Sequence, residues 1–361
     1  MYKAVNLIMT FKVNIWLRLL LPAIILTACN QQDSGKNSPG SPAIFTNQFY
    51  TEKTACLLSQ ISYSPDPQKA LDKYMSGWKV VWNAKELGGN QAFVATDGTV
   101  YAIAIRGSLI EFSWQAFQNW IYQDINVASL QKWPYTNDSS KAKIAQGAYE
   151  GWQNMNGMID KITGKSLLSF LETATSSDTP VLITGHSLGG NLATVYASYL
   201  WQNFKTNGHP RNSINVITFA APAAGNASFA NDFNKKFPNS LRFENRNDIV
   251  PKFPCTSGVA GLGDLYTPSP VAAKISVGYK NITMPLSKVF TLLSTALAIL
   301  EYKNGNAVYT QTNENGNLIT IPLSGKNNSD DISSWLSEAG YQHGIARYAE
   351  QLKVSVMDSI P

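Results

Sequence analysis

Three observations predict an α/β fold with a central, mostly parallel sheet flanked by helices. Strand-like apolar runs alternate with helix-like runs along most of the chain. One of them, Val181-Leu182-Ile183-Thr184, breaks into Gly185-His186-Ser187-Leu188-Gly189-Gly190 and continues as Asn191-Leu192-Ala193, a strand turning into a helix through G-x-S-x-G. The 361 residues, 44% hydrophobic and 15% charged, are enough to bury one large core.

The first 28 residues carry Lys3, Lys12 and Arg18 without an acid, followed by the short apolar run from Leu19 to Ala28. That is the charged start and short hydrophobic stretch of a secretory signal, and it is too short for a spanning helix. Leu26-Thr27-Ala28-Cys29 resembles the lipobox of bacterial lipoproteins, in which the cysteine is lipidated and becomes the mature N-terminus. The bland alternative is an ordinary secreted chain in which Cys29 is incidental. The expected address is an exported, membrane-anchored lipoprotein, on the periplasmic face of an outer membrane or at the cell surface. Residues 29–48 are polar and rich in Gly, Pro and Ser, the composition of a flexible tether, and residues 49–361 form the folded domain. Losing the three basic residues of the leader from 29, against 24 acidic ones, leaves a charge near +2. That balance argues against a nucleic-acid partner. The two remaining cysteines, Cys56 and Cys255, either pair in an oxidising compartment or stay as buried thiols; sequence leaves this open.

Within the domain, helices are predicted from Thr51 to Ile61 and after Pro67. Strands are predicted for Trp78–Asn83, Gln91–Thr96 and Thr99–Ile105, with Asp97-Gly98 as a hairpin turn. A helical stretch from about Gly147 to Ala174 leads to the elbow strand, and the helix after it runs to about Phe204. Ile214–Phe219 and Ser240–Asn245 read as further strands. Val289–Leu300 has helical length, and Ala307–Pro322 reads as a hairpin through Asn313-Glu314-Asn315-Gly316. No internal repeat is evident.

A serine between a buried strand and a helix must adopt a strained backbone, and glycines two positions either side remove the Cβ clash. The turn presents the Ser187 hydroxyl at the carboxyl edge of the sheet as a nucleophile; the alternative is a serine that only caps a helix. Only three histidines are present. His186 adjoins the serine on the turn and projects away from its hydroxyl, and His209 follows a helix long enough to carry it to the far edge. That leaves His343, which also satisfies the chain order Ser, Asp, His. Its partner should follow a sheet strand at the same edge; Asp248 does, after Leu241–Asn245, whereas Asp264, Asp330 and Asp331 lie in loops with no such strand. The backbone N–H of Leu188 is one candidate oxyanion donor, and Ser108, after Arg106-Gly107 at the end of the Thr99–Ile105 strand, is the other.

Collinear with these, Asn119-Trp120-Ile121 and Asp124 follow the Arg-Gly-Ser strand end, Gly147 and Tyr149 open a helix, and Phe219 to Asn226 carries Pro and Gly-Asn. In this set and order, over roughly Ala92 to Pro251 plus the His343 segment, the chain resembles the fungal-type class 3 lipases, a family of α/β-hydrolases. The resemblance implies an α/β-hydrolase fold and a serine ester hydrolase, with a Ser187–His343–Asp248 triad and oxyanion donors Ser108 and Leu188. It implies no metal or organic cofactor, and a lipid ester substrate: triacylglycerol or a smaller acylglycerol, with phospholipid as the alternative. A peptidase on the same fold, or a binding protein on a retired scaffold, are readings from other classes; the latter predicts a gap in the triad, and there is none. Two departures stand out. Eleven aromatic-rich residues separate Gly107 from Asn119, where Leu109 to Phe117 forms either an apolar lid or a buried helix. Asp248 precedes His343 by 95 residues, a longer gap than usual for the family. Ala223 stands where the family has a basic residue.

Overall fold

The computed structural model describes residues 51–109, 129–137, 141–208, 213–279, 282–313 and 316–358. The proposed leader, lipidated Cys29 and tether lie outside them, as do His209 and all of the Leu109–Phe117 insert except Leu109 itself.

Two helices open the domain. α1 (Glu52–Ile61) is capped by Thr51, whose side chain accepts the Thr54 N–H, and α2 (Pro67–Tyr74) by Asp66, with proline in its first turn, where a missing N–H costs nothing. The strands β1 (Lys79–Asn83), β2 (Ala92–Thr96) and β3 (Tyr101–Ile105) form an antiparallel meander. Between β2 and β3 the predicted turn is present: Gly98 has φ +94°, and Asp97 Oδ1 accepts the N–H groups of Thr99 and Val100. β4 (Leu130–Lys132) and β5 (Lys143–Ala145) follow, then α3 (Gln146–Gly157) and α4 (Leu167–Ala174).

The single helical stretch expected from Gly147 to Ala174 is thus two helices. The break is built by Asp160, whose carboxylate accepts the N–H and hydroxyl of Thr163 and the N–H of Asn83, and by Gly164 at φ +67°. An aspartate that satisfies two local donors on Thr163 offers the backbone an alternative to helix, and the Asn83 N–H from β1 fixes it there.

From there strand and helix alternate: β6 (Val181–His186), α5 (Leu188–Thr206), β7 (Ile214–Phe219), β8 (Gly225–Asn226), α6 (Ala227–Lys236) and β9 (Leu241–Asn245). Beyond the acid loop lie α7 (Thr256–Ala260), the hairpin β10 (Ser276–Tyr279) and β11 (Ile282–Pro285), and α8 (Leu286–Lys303). β12 (Tyr309–Thr310), β13 (Asn317–Ile319), α9 (Ile332–His343) and α10 (Ile345–Gln351) complete the order.

The main sheet runs β1-β2-β3-β6-β7-β9-β13, and every pairing from β3 onward is parallel. The hairpin expected from Ala307 to Pro322 does not form. β12 pairs antiparallel with β8 in a small second sheet, while β13 joins the main sheet beside β9. Ile319 lies opposite Asn245 of β9 at this edge and packs on the core.

Consecutive strand residues face opposite ways, so the sheet sorts its side chains into two cores. Val94, Ile103, Ile183 and Val216 join Trp152, Leu171, Leu192 and Tyr196 of α3 to α5 on one face. Phe93, Ala104, Leu182 and Ile217 join Leu58 and Ile61 of α1 and Tyr348 of α10 on the other. Burial on both faces explains why β6 reads as an unbroken apolar run. Cys56 belongs to the second core and Cys255 to the first, and Cys56 is a free, buried thiol, so these two do not pair.

Candidate active site

β6 delivers the chain to Ser187, whose φ of 59° and ψ of −131° are a conformation that few non-glycine residues adopt. Its N–H is held by the carbonyl of Phe219 on β7 at 2.9 Å, and its carbonyl caps the N–H groups of Gly190 and Asn191. The flanking glycines are obligatory. A Cβ on Gly185 would sit 2.4 Å from the Gly189 backbone, and one on Gly189 would sit 2.2 Å from the Ile105 carbonyl oxygen. The elbow is therefore wedged between its own helix start and the end of β3.

His343 lies at the last residue of α9, and its Nε2 is 2.9 Å from Ser187 Oγ. Its Nδ1 is 2.9 Å from Asp248 Oδ2 and 3.1 Å from Oδ1. A carboxylate only accepts, which assigns the proton of the neutral ring to Nδ1 and leaves Nε2 to accept from the serine hydroxyl. Asp248 is fully buried and takes two further donors, the Tyr348 hydroxyl at 2.8 Å and the Val250 N–H at 2.9 Å. The acid loop starts from the end of β9 as expected, and Asp248 N–H bonds back to the Asn245 carbonyl. Asn245 also ties strand to helix: its Nδ2 donates to the backbone and side-chain oxygens of Gln342, next to His343. Gln342 in turn donates to Glu338 Oε1 and to the Pro322 carbonyl. The carboxylate and the imidazole are so positioned from two elements locked together.

Two further residues join the site, and the sequence reading assigned neither a role there. His186 makes no bond to Ser187, as its place on the turn implies. Instead its ring lies 4.6 Å from that of His343, tilted by 35°, and its Nε2 is 2.8 Å from the His343 carbonyl. Because a carbonyl only accepts, Nε2 carries the proton and Nδ1 accepts from the Tyr63 hydroxyl at 2.9 Å. The Gly107 N–H donates to the Tyr63 oxygen, so one chain of hydrogen bonds runs from the end of β3 through Tyr63 and His186 to the backbone of His343. Burial, reinforced by the neighbouring His343, holds the His186 imidazole well below its ordinary pKa, although its bond to the His343 carbonyl opposes this. It stays neutral. The only sequence signal for this pair is the position of His186 beside the serine; nothing local marks Tyr63, 123 residues earlier.

Ser108 and Leu188, the candidate oxyanion donors, line one cavity of about 370 Å³. Leu188 is the first residue of α5, where helix N–H groups lack intrahelical partners. Ser108 follows Gly107, at which a Cβ would lie 2.3 Å from the Tyr63 hydroxyl, so only glycine lets this strand end approach the elbow.

Parts of the chain are similar to known proteins. Residues 102–258 match the class 3 lipase family. That segment includes Ser108, the elbow and Asp248, and stops before His343. A secreted mono- and diacylglycerol lipase 1 of Fusarium solani is 27% identical over 168 residues, 46% of this chain and 43% of the relative. A phospholipase A1-II 5 of Oryza sativa subsp. indica is 32% identical over 109 residues, 29% of this chain and 23% of the relative. The chain thus spans less than half the length of either relative. Among solved structures, M37 lipase superposes with a TM-score of 0.66 at 23% identity, over 84% of this chain and 93% of its own. At that identity the likeness carries the fold, a mostly parallel sheet of the α/β-hydrolase kind.

Proposed function

We propose that this protein is a serine carboxylic ester hydrolase acting on lipid acyl esters, an acylglycerol lipase, through a Ser187–His343–Asp248 triad. The observation that carries the reading is the unbroken contact from Ser187 Oγ to His343 Nε2 at 2.9 Å and from His343 Nδ1 to Asp248 Oδ2 at 2.9 Å. His343 takes the serine proton as the hydroxyl attacks the ester carbonyl, and the imidazolium so formed is stabilised by buried Asp248. The tetrahedral oxyanion forms beside the backbone N–H of Leu188 and the N–H and hydroxyl of Ser108. His343 passes its proton to the leaving alcohol, and water, activated by the same ring, cleaves the acyl-enzyme and restores Ser187. The lipid substrate is supported by the class 3 lipase match over residues 102–258 and by the mono- and diacylglycerol lipase relative. A phospholipase A1-type activity is the second reading, favoured by the similarity to the rice phospholipase.

Export fits the signal-like residues 1–28, and the Fusarium relative is a secreted protein. Lipidation at Cys29 would hold the enzyme on a membrane beside its substrate, each buried CH₂ contributing about 0.8 kcal/mol. No described helix is long and apolar enough to cross a membrane. The test of function is hydrolysis of p-nitrophenyl esters of graded chain length by the leaderless protein and by Ser187→Ala. The wild type should turn over and the variant should lose at least about 10⁴-fold in kcat; equal residual activity in the two would refute the nucleophile assignment.

A further inference from the structure

The cavity at the candidate oxyanion donors is walled by polar groups rather than by the apolar surface that an acyl chain needs. On one side α3 contributes Gly147, Glu150, Gly151 and Asn154, spaced so that all four fall on one helical face. Opposite, the β1–β2 connection contributes Glu86 and Asn90, and the end of β3 contributes Arg106. Leu109 stands among them more than half exposed.

The hydrogen-bonding capacity of these walls is not used up. Asn154 Nδ2 donates to Asn90 Oδ1 at 2.9 Å, which leaves the Asn154 carbonyl oxygen and the Asn90 amide nitrogen for a ligand. Glu150 accepts from Gln146, its neighbour on α3. Arg106 is held in place by Gln91, Glu86 and the Gly89 carbonyl, so its charge is fixed at the cavity wall. Methylene groups packed here would strip water from a guanidinium, two carboxylates and two amides without replacing its hydrogen bonds. A group rich in hydroxyls or phosphoryl oxygens would replace them.

From this we infer that the cavity is the subsite for the alcohol portion of the ester, and that it selects lipids whose alcohol carries a free polar group over triacylglycerols. The group is the free hydroxyls of a partial acylglycerol or the phosphoryl headgroup of a phospholipid, which share the chemistry that the walls offer. The inference rests on the ester-hydrolase reading and specifies its substrate class. A site built to hydrogen-bond its ligand rejects an analogue that leaves those groups unpaired.

The test compares kcat/KM for 1-monooleoylglycerol, 1-oleoyl lysophosphatidylcholine and trioleoylglycerol, presented in the same detergent micelles, for the wild type, Glu150→Leu, Asn154→Leu and Ser187→Ala. The wild type should favour at least one of the two polar substrates over trioleoylglycerol by about tenfold or more, and the better one identifies the group that the cavity takes. Each leucine variant should shrink that ratio about tenfold. A wild type that cleaves trioleoylglycerol as fast as both polar lipids overturns the inference, without dependence on how well a variant folds. So does a ratio that stays within twofold in both leucine variants. Hydrolysis that persists in Ser187→Ala would instead sink the underlying reading, whereas its loss there with no polar preference removes the subsite alone.

Discussion

Ser187 is held by Phe219, stacked against the end of β3 through Gly189, and bonded to a histidine whose own backbone is braced by His186. At this scale the least expected contribution is from Tyr63. Removing its hydroxyl in Tyr63→Phe leaves Nδ1 of a buried imidazole and the Gly107 N–H without their partner. The expected outcome is a several-fold fall in kcat on a soluble ester with KM little changed, read by steady-state kinetics, because Tyr63 acts through His186 on the backbone of His343, the proposed base. His186 also makes stability depend on pH. Its folded pKa lies well below the ordinary value of 6.5, so below that value the unfolded chain binds a proton that the folded chain refuses. Stability is full above about pH 6.5 and falls as pH drops, by at most about 1.4 kcal/mol per pH unit. His186→Gln should show a smaller loss of Tm between pH 7.5 and 5.5 than the wild type. Tm curves that stay parallel would remove this role.

At the scale of elements, the site is assembled where three strand ends meet two helix ends: β3, β6 and β9 with the start of α5 and the end of α9. The close passage of β3 under the elbow leaves no room for a methyl at Gly189. Gly189→Ala should therefore lower stability by about 1–3 kcal/mol in chemical denaturation, together with activity, because the end of β3 must shift. Ser187, Asp248 and His343 themselves were legible in the sequence because each obeys a local rule, whereas α9, which ends at His343, was not predicted. A glycine-flanked serine, an aspartate just past a β-rich strand and the one histidine in correct chain order need no knowledge of distant packing. What escaped prediction depends on long-range contacts. The break at Asp160 needs the Asn83 N–H from β1, and β13 leaves its supposed hairpin partner for a parallel edge beside β9. Tyr63 meets His186 only because α1 delivers the chain to the carboxyl edge of β6, and no periodicity in either segment records that.

For the whole molecule, the proposal is a catalytic domain carried on a tether lipidated at Cys29. Cys29→Ser should move the full-length protein from the detergent-extracted membrane fraction to the soluble fraction, with kcat on a short soluble ester unchanged, as fractionation and assay would show. A protein that remains membrane-bound would need another anchor. The central claim, that Asp248 and His343 activate Ser187, is tested most directly by a fluorophosphonate probe followed by peptide mass mapping. Wild-type protein should carry one adduct, on Ser187, and His343→Ala should be labelled at least about 10³-fold more slowly. Equal labelling of the two proteins, or an adduct on any other residue, would contradict the account.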